Sequence, residues 1–74
     1  MKAYYVHYNL YSPGSSTHGI QIIANNKYDA YDKAVYEEIP KKHDGQMPYS
    51  AWVHSVTYNN GNCRIFNTFE GKPF

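Results

Sequence analysis

The sequence predicts an α+β domain: a four-stranded antiparallel sheet, made of two hairpins, with one helix packed on one face, in the order ββαββ. Three observations predict this fold. The chain before residue 25 alternates apolar and polar positions as strands do. Residues 26–39 have helical periodicity, and Asn60-Gly61 indicates a tight hairpin turn. The 74 residues predict a single domain, 1–74, with a small core.

Residues 2–11 and 17–24 predict the first hairpin, joined by a turn rich in Ser, Pro and Gly. The more apolar alternate positions are assigned to the core: Tyr4, Val6, Tyr8, Leu10, Ile20, Ile22 and Ala24. Pairing Tyr8 with Ile20, and Val6 with Ile22, places these two sets on the same face of the sheet. Burial of one face normally fixes the register of a hairpin in this way.

Residues 26–39 predict an amphipathic helix. Asn26 is suited to cap its first turn, because an Asn side chain accepts from an unpaired backbone N–H there. Pro40 is expected to end the helix at Ile39, because proline disfavours helical geometry in the preceding residue. The apolar stripe predicted to cover the sheet contains Tyr28, Tyr31, Ala34, Val35 and Ile39.

Residues 51–59 and 62–69 predict the second hairpin, with Asn60-Gly61 as a two-residue type I′ turn. That turn pairs Val56 with Ile65. The larger side chains are then predicted to face the helix: Trp52, His54, Val56, Tyr58, Cys63, Ile65 and Phe69. The opposite face receives Val53, Ser55, Thr57, Arg64, Phe66 and Thr68. Residues 70–74 are expected to form a loose tail.

The composition excludes several classes of protein. Seven basic and six acidic residues give a net charge of +1, which is too little for strong non-specific binding to nucleic acid. A single cysteine forbids an internal disulfide and fits a reducing cytoplasm. No run approaches the ~20 apolar residues that a membrane helix needs, and no signal-peptide pattern is expected.

The sequence predicts no catalytic, cofactor or metal site. In the predicted hairpin, His54 pairs four residues along from Cys63, roughly 13 Å away at strand rise, which is too far for a nucleophile–base pair. The four histidines lack the short spacings of zinc ligands. Lys41-Lys42-His43 forms a small basic patch that either complements the helix dipole or contacts an acidic partner or phosphate.

The sheet face turned away from the helix is the most informative surface of the predicted fold. The residues expected to bind a partner there and in the adjoining loops are Tyr5, His7, Tyr11, Arg64, Phe66, Lys41 and Lys42. Tyrosine is enriched at binding surfaces because it buries a rigid ring and keeps a polar tip. Two other interpretations are a solvated sheet face and an oligomer contact.

Two functions from different classes fit these observations. The first is a non-enzymatic interaction protein, monomer or small homodimer, that binds a protein partner through this face. Small chains without motifs are common among phage and mobile-element accessory proteins, including anti-CRISPR and other host-takeover inhibitors. The chain is similar to these in format only, and no motif matches a named family. The second function is a single-stranded nucleic-acid-binding module, with rings stacking on bases and Arg64, Lys41 and Lys42 meeting phosphates.

Overall fold

The computed structural model describes residues 1–11 and 16–66, and the backbone of residues 72–73. Its strands are β1 (Lys2–Asn9), β2 (His18–Ala24), β3 (Ser50–Thr57), β4 (Cys63–Ile65) and β5 (Lys72–Pro73), and a helical stretch lies between β2 and β3. They form one antiparallel sheet in the order β2-β1-β3-β4, and β5 pairs with the start of β3. The predicted hairpin–helix–hairpin order and α+β class are confirmed.

The first hairpin keeps the predicted faces but not the predicted register. Val6 lies opposite Ile20, and Tyr4 opposite Ile22, a shift of two residues from the expected pairing. An even shift leaves every side chain on its face, so the periodicity that predicts the faces cannot distinguish these two registers. The strands stop at Asn9 and resume at His18, so the connection is longer than the predicted turn. Its central residues, 12–15, lie outside the described part of the chain.

The helix begins as predicted but runs past proline. Asp29 donates its backbone N–H to Asn26 Oδ1 at 2.9 Å, which confirms Asn26 as the N-cap. Helix α1 (Lys27–Lys33) continues into a π-helical turn (Ala34–Glu38) and then α2 (Ile39–Lys42), which contains Pro40. Proline lacks the N–H of a regular helical bond, and its ring clashes with the carbonyl four residues earlier. The wider π turn directly before Pro40 accommodates both effects without ending the helix.

Small and aliphatic side chains of the helix face the sheet. Ala30, Ala34, Val35 and Ile39 are buried in a core that also contains Tyr4, Val6, Tyr8, Ile22, Ala24, Ala51 and Val56. Tyr31 packs against this core, but Tyr28 is 72 % exposed, so its place in the predicted stripe is wrong. The buried line instead includes Ala30 and Ala34, whose short side chains bring the helix backbone close to the sheet.

A β-bulge in β3 reverses the faces predicted for half of that strand. Tyr5 pairs with Ser55, whereas the next residue, Val6, pairs with Val53, so His54 is the extra residue of the bulge. Val53 therefore turns toward the core with Val6. Trp52 and His54, predicted to face the helix, lie on the opposite face of the sheet.

The second hairpin is shifted by one residue from the prediction. The Tyr58 N–H donates to the Asn62 carbonyl at 2.8 Å, and the Gly61 N–H donates to the Tyr58 carbonyl at 2.9 Å, closing a three-residue loop. Gly61 has φ +89°, the left-handed geometry that such a loop requires after a type I turn. Arg64 now pairs with buried Val56, so it lies on the helix side.

The predicted end of the second hairpin and the predicted tail follow Phe66. Residues 67–71 and 74 lie outside the described part of the chain, and within the predicted loose tail the backbone of Lys72–Pro73 pairs with Ser50–Ala51. No helix among the described residues is long and apolar enough to cross a lipid bilayer.

Candidate binding surface

The sheet has one face covered by the helix and one face turned away from it, which we call the open face. The alternation of the strands and the bulge in β3 together determine its membership. Its described residues are Ala3, Tyr5 and His7 of β1; Gly19, Gln21 and Ile23 of β2; Trp52, His54, Ser55 and Thr57 of β3; and Cys63 and Ile65 of β4.

Four rings form a row along the middle of the open face. His7 lies at its centre and stacks on His54, with ring centroids 4.2 Å apart and planes 15° from parallel. The rings of Tyr5 and Trp52 each make a T-shaped contact with the His7 ring, with centroid distances of 5.4 and 5.9 Å. Nδ1 of His54 is buried without a hydrogen-bond partner among the described residues, and the ring of this residue packs on His7. We refer to these four residues as the ring row.

Glycine in β2 creates the space that the Tyr5 ring occupies. A Cβ atom at Gly19 would lie 2.9 Å from Cε2 of Tyr5, closer than side-chain carbons approach in real proteins. The Tyr5 ring therefore extends over Gly19 of the neighbouring strand. This arrangement gives the open face a broad aromatic patch that spans β1 and β2.

Large side chains in the ring row and beside it remain accessible to solvent. Tyr5 is 43 % exposed, Ile23 48 % and Ile65 63 %. Beside Tyr5, a shallow depression of about 160 Å³ is lined mainly by polar groups, among them Gln21, Ser55 and Thr57. The open face thus combines exposed apolar groups with short hydrogen-bonding side chains, which is the composition of many protein–protein interfaces.

The described part of the open face carries no Asp, Glu, Lys or Arg. The pKa of His7 on this face is lowered, mainly because the ring is partly buried and also because His54 lies next to it. Lowering the pKa of an imidazole favours its neutral form. With neutral imidazoles, the described part of the open face carries no formal charge.

Only part of the predicted binding set lies on this face. Tyr5 and His7 lie there together, as expected. Tyr11 lies beyond the end of β1 and is 71 % exposed, so it does not belong to the strand alternation that was used to place it. Lys41 and Lys42 are exposed in the last turn of α2, on the helix side of the sheet.

Arg64 and Phe66 were predicted on the open face and lie on the other side. Phe66 packs against the buried core, and its ring lies below the Lys27 ammonium of α1 at 5.5 Å and the Arg64 guanidinium at 5.7 Å. The one-residue change in the second hairpin explains this correction, because it exchanges the two faces of the strand. Phe66 is thus part of the scaffold. Cys63 and Ile65 lie on the open face although the predicted hairpin turned them toward the helix, because the one-residue shift in register exchanges the faces of β4.

Trp52 and His54 are the open-face residues of β3 that the sequence analysis missed. Strict alternation from Val56 assigns them to the core. The bulge that moves them has no local signal of its own, such as a glycine or proline. Trp52 and Val53 are two apolar residues in succession, and this is the nearest indication in the sequence that the alternation breaks there.

A second cluster of rings lies on the helix side, where β1, β2 and the end of α2 meet. The Tyr8 hydroxyl shares a hydrogen bond of 2.8 Å with His43 Nε2. His18 stacks on the Tyr8 ring at 5.2 Å and meets the His43 ring at 5.7 Å. Tyr8 is fully buried, and burial raises the pKa of its hydroxyl. This cluster ties the C-terminal end of the helix to the sheet.

No group of three or more His, Cys, Asp or Glu side chains among the described residues could hold a metal ion. Cys63 is a free, exposed thiol at the β4 edge of the open face. Comparison of the chain with protein-family models, with curated proteins and with solved structures finds no match.

Proposed function

We propose that this chain is a non-enzymatic interaction protein that binds a protein partner on the open face of its sheet. The observation that carries the proposal is the ring row: His7 with the rings of Tyr5, Trp52 and His54 in contact with it, on an uncharged face that the helix leaves uncovered. Rigid rings supply large contact area at little cost in conformational entropy. Trp and Tyr are also the residues most often found at the energetic centre of protein interfaces.

The distribution of charge favours a protein over a nucleic acid. Single strands are bound by bases stacking on rings while Lys and Arg neutralise the neighbouring phosphates. Here the rings lie on one face, and the cations Arg64, Lys41 and Lys42 lie on the helix side. A strand stacked on the ring row would therefore meet no cation from these three residues, which weakens the alternative function.

The composition of the open face also indicates what kind of partner surface would be complementary to it. An uncharged face with exposed Tyr5, Ile23 and Ile65 is complementary to a partner patch that is apolar at its centre and carries uncharged hydrogen-bonding groups around it. A charged patch would lose its hydration there without compensation. Occupying such a site is the simplest way for a small domain to inhibit its partner. The proposal places the chain in the cytoplasm, where its one cysteine stays reduced.

The test is capture of the partner by wild type and by two matched double variants. Tyr5→Ser/Ile23→Ser removes exposed apolar groups from the open face, whereas Tyr28→Ser/Tyr36→Ser removes exposed rings from the helix. The immobilised proteins are incubated with nuclease-treated lysate of the source cell. We expect the open-face variant to lose at least ten-fold in binding, because each truncated anchor costs on the order of 1–2 kcal/mol. The helix variant should retain binding.

The controls separate loss of binding from loss of fold. Both double variants replace exposed side chains, so their thermal unfolding should resemble that of wild type. Equal retention of the same protein by both variants would contradict the proposal. Titration with a fluorescent single-stranded oligonucleotide at low salt tests the alternative, and we expect no binding. Tight binding with a steep salt dependence would favour the nucleic-acid function instead.

A further inference from the structure

The two edges of the sheet differ in how they are protected. Exposed strand edges present unpaired N–H and C=O groups, and proteins usually blunt them with short strands, charges or proline. The β4 edge follows this rule: the strand has three residues and includes Arg64. The β2 edge does not, because its seven residues, HGIQIIA, include no charged residue and no proline. Among the described residues, no strand pairs with the outer side of β2.

We propose that a second copy of this chain occupies the outer edge of β2, in antiparallel pairing about a two-fold axis through Gln21. Such pairing completes the backbone hydrogen bonds of two identical edges at once. A two-fold contact uses the same surface on both copies, so it closes at a dimer. The blunted β4 edge offers no comparable second site for further growth. This inference does not rest on the partner proposed for the open face, although Tyr5, Gln21 and Ile23 contribute to both surfaces.

The sequence of β2 is complementary to itself about that axis. On the helix side, Ile20 lies opposite the second copy's Ile22, and each of these side chains packs against its own core or is part of it. On the open face, Gln21 lies opposite its own equivalent, where two amides can exchange hydrogen bonds. No cross-strand pair brings two like charges together, and pairs of this kind stabilise antiparallel contacts.

The third pair of the contact involves the glycine beneath Tyr5. Ile23 lies opposite the second copy's Gly19, beside the Tyr5 ring that covers this glycine. Ile23 is 48 % exposed in the single chain, and an aromatic ring next to a β-branched side chain is a favourable cross-strand combination. Pairing also joins the two open faces into one continuous surface, with an aromatic patch on each side of the seam.

A charge-swap experiment at the axis tests this arrangement. Gln21→Lys and Gln21→Glu each place two like charges directly opposite one another, so each variant alone should be monomeric. Their equimolar mixture should regain the dimer, because opposite charges then meet across the axis. Sedimentation velocity between about 10 μM and about 1 mM, a range that detects weak association, gives the mass. Thr57→Lys, an exposed open-face position on β3, is the matched control and should associate like wild type.

Every outcome of this experiment bears on the proposal. All proteins carry Cys63→Ser, because the exposed thiol could otherwise join two chains through a disulfide. A wild-type particle of twice the chain mass, lost in both Gln21 variants and restored in their mixture, supports the pairing. A wild type that stays monomeric throughout the range overturns it. So does a dimer that the Gln21 variants leave unchanged, or assembly without a limit at two copies. Circular dichroism melts show whether each variant is folded.

Discussion

At the scale of single residues, Tyr8 shows how this small domain uses a tyrosine for structure rather than for binding. Its ring is fully buried between strands and helix, and its hydroxyl has a specific partner in His43 at 2.8 Å. A buried polar group is costly unless it is paired, so the two residues depend on one another. Nine tyrosines in the chain therefore do not imply nine binding residues.

Replacing Tyr8 with Phe should lower the free energy of unfolding by about 1 kcal/mol, because it removes the hydrogen bond to His43 and keeps the ring. Urea denaturation followed by circular dichroism measures the change. Tyr28→Phe, at an exposed position, is the control and should be neutral. In the Tyr8→Phe background, His43→Ala should cost less than it does in wild type. Fully additive effects would show that the two side chains are not coupled.

His7 should make the stability of the domain sensitive to acid. Burial and the neighbouring His54 lower its pKa in the folded state below the ordinary value of 6.5, so the unfolded chain binds the proton first as the pH falls. The contribution of neutral His7 is thus fully present above about pH 6.5 and is lost as the pH falls through the folded pKa.

The matching variant is His7→Phe, which retains a flat ring next to His54 and removes the titrating group. Thermal unfolding measured from about pH 7.5 to about pH 5, across the range where histidine titrates, should show a smaller loss of stability for the variant than for wild type. The two proteins differ only at position 7, so the difference between the two curves is the readout. Parallel curves would show that His7 has no part in the pH dependence.

At the scale of elements, the start of the helix was predictable and its continuation was not. The Asn26 cap depends on a side chain and a backbone N–H three residues apart, which the sequence alone specifies. The path through Pro40 depends on a π turn directly before the proline, whereas the sequence rule for proline predicts that the helix ends there. Burial of Ala30 in place of Tyr28 likewise has no local signal in the sequence.

Asn26→Ala should lower the free energy of unfolding by about 1 kcal/mol, because one N–H of the first turn loses its acceptor. Chemical denaturation measures this loss. Asn25→Ala changes the exposed neighbouring residue by the same atoms and should have a much smaller effect. If both variants lose equal stability, the cap is not the source of the effect.

The two hairpins show why faces were easier to predict in one than in the other. In β1 and β2 the apolar residues alternate without interruption, so even the wrong register left each side chain on the correct face. In β3 the bulge at His54 breaks the alternation, and in β4 the left-handed Gly61 changes the pairing by one residue. Each change exchanges the two faces, which moved Trp52 to the open face and removed Phe66 from it.

At the scale of the whole molecule, the position of the helix makes the two faces of the sheet different. It covers one face of the sheet with Ala30, Ala34, Val35 and Ile39, and it leaves the opposite face to the ring row. Binding through an aromatic open face stays a prediction. The aromatic residues of that face are Tyr5, His7, Trp52 and His54. The cations predicted to accompany them lie on the helix side, and this separation of rings from charge is what favours a protein partner.

The most direct test of this account is a map of the contact surface by NMR. The ¹⁵N-labelled chain is titrated with the captured protein partner, and changes in its backbone amide signals are recorded. We predict that the largest changes fall on open-face residues of β1, β2 and β3, such as His7, Gln21 and Ser55. The amide signals of Asp29 and Asp32, exposed residues of α1, should stay constant. Changes concentrated in α1 and α2, with the open-face amides unaffected, would contradict the account.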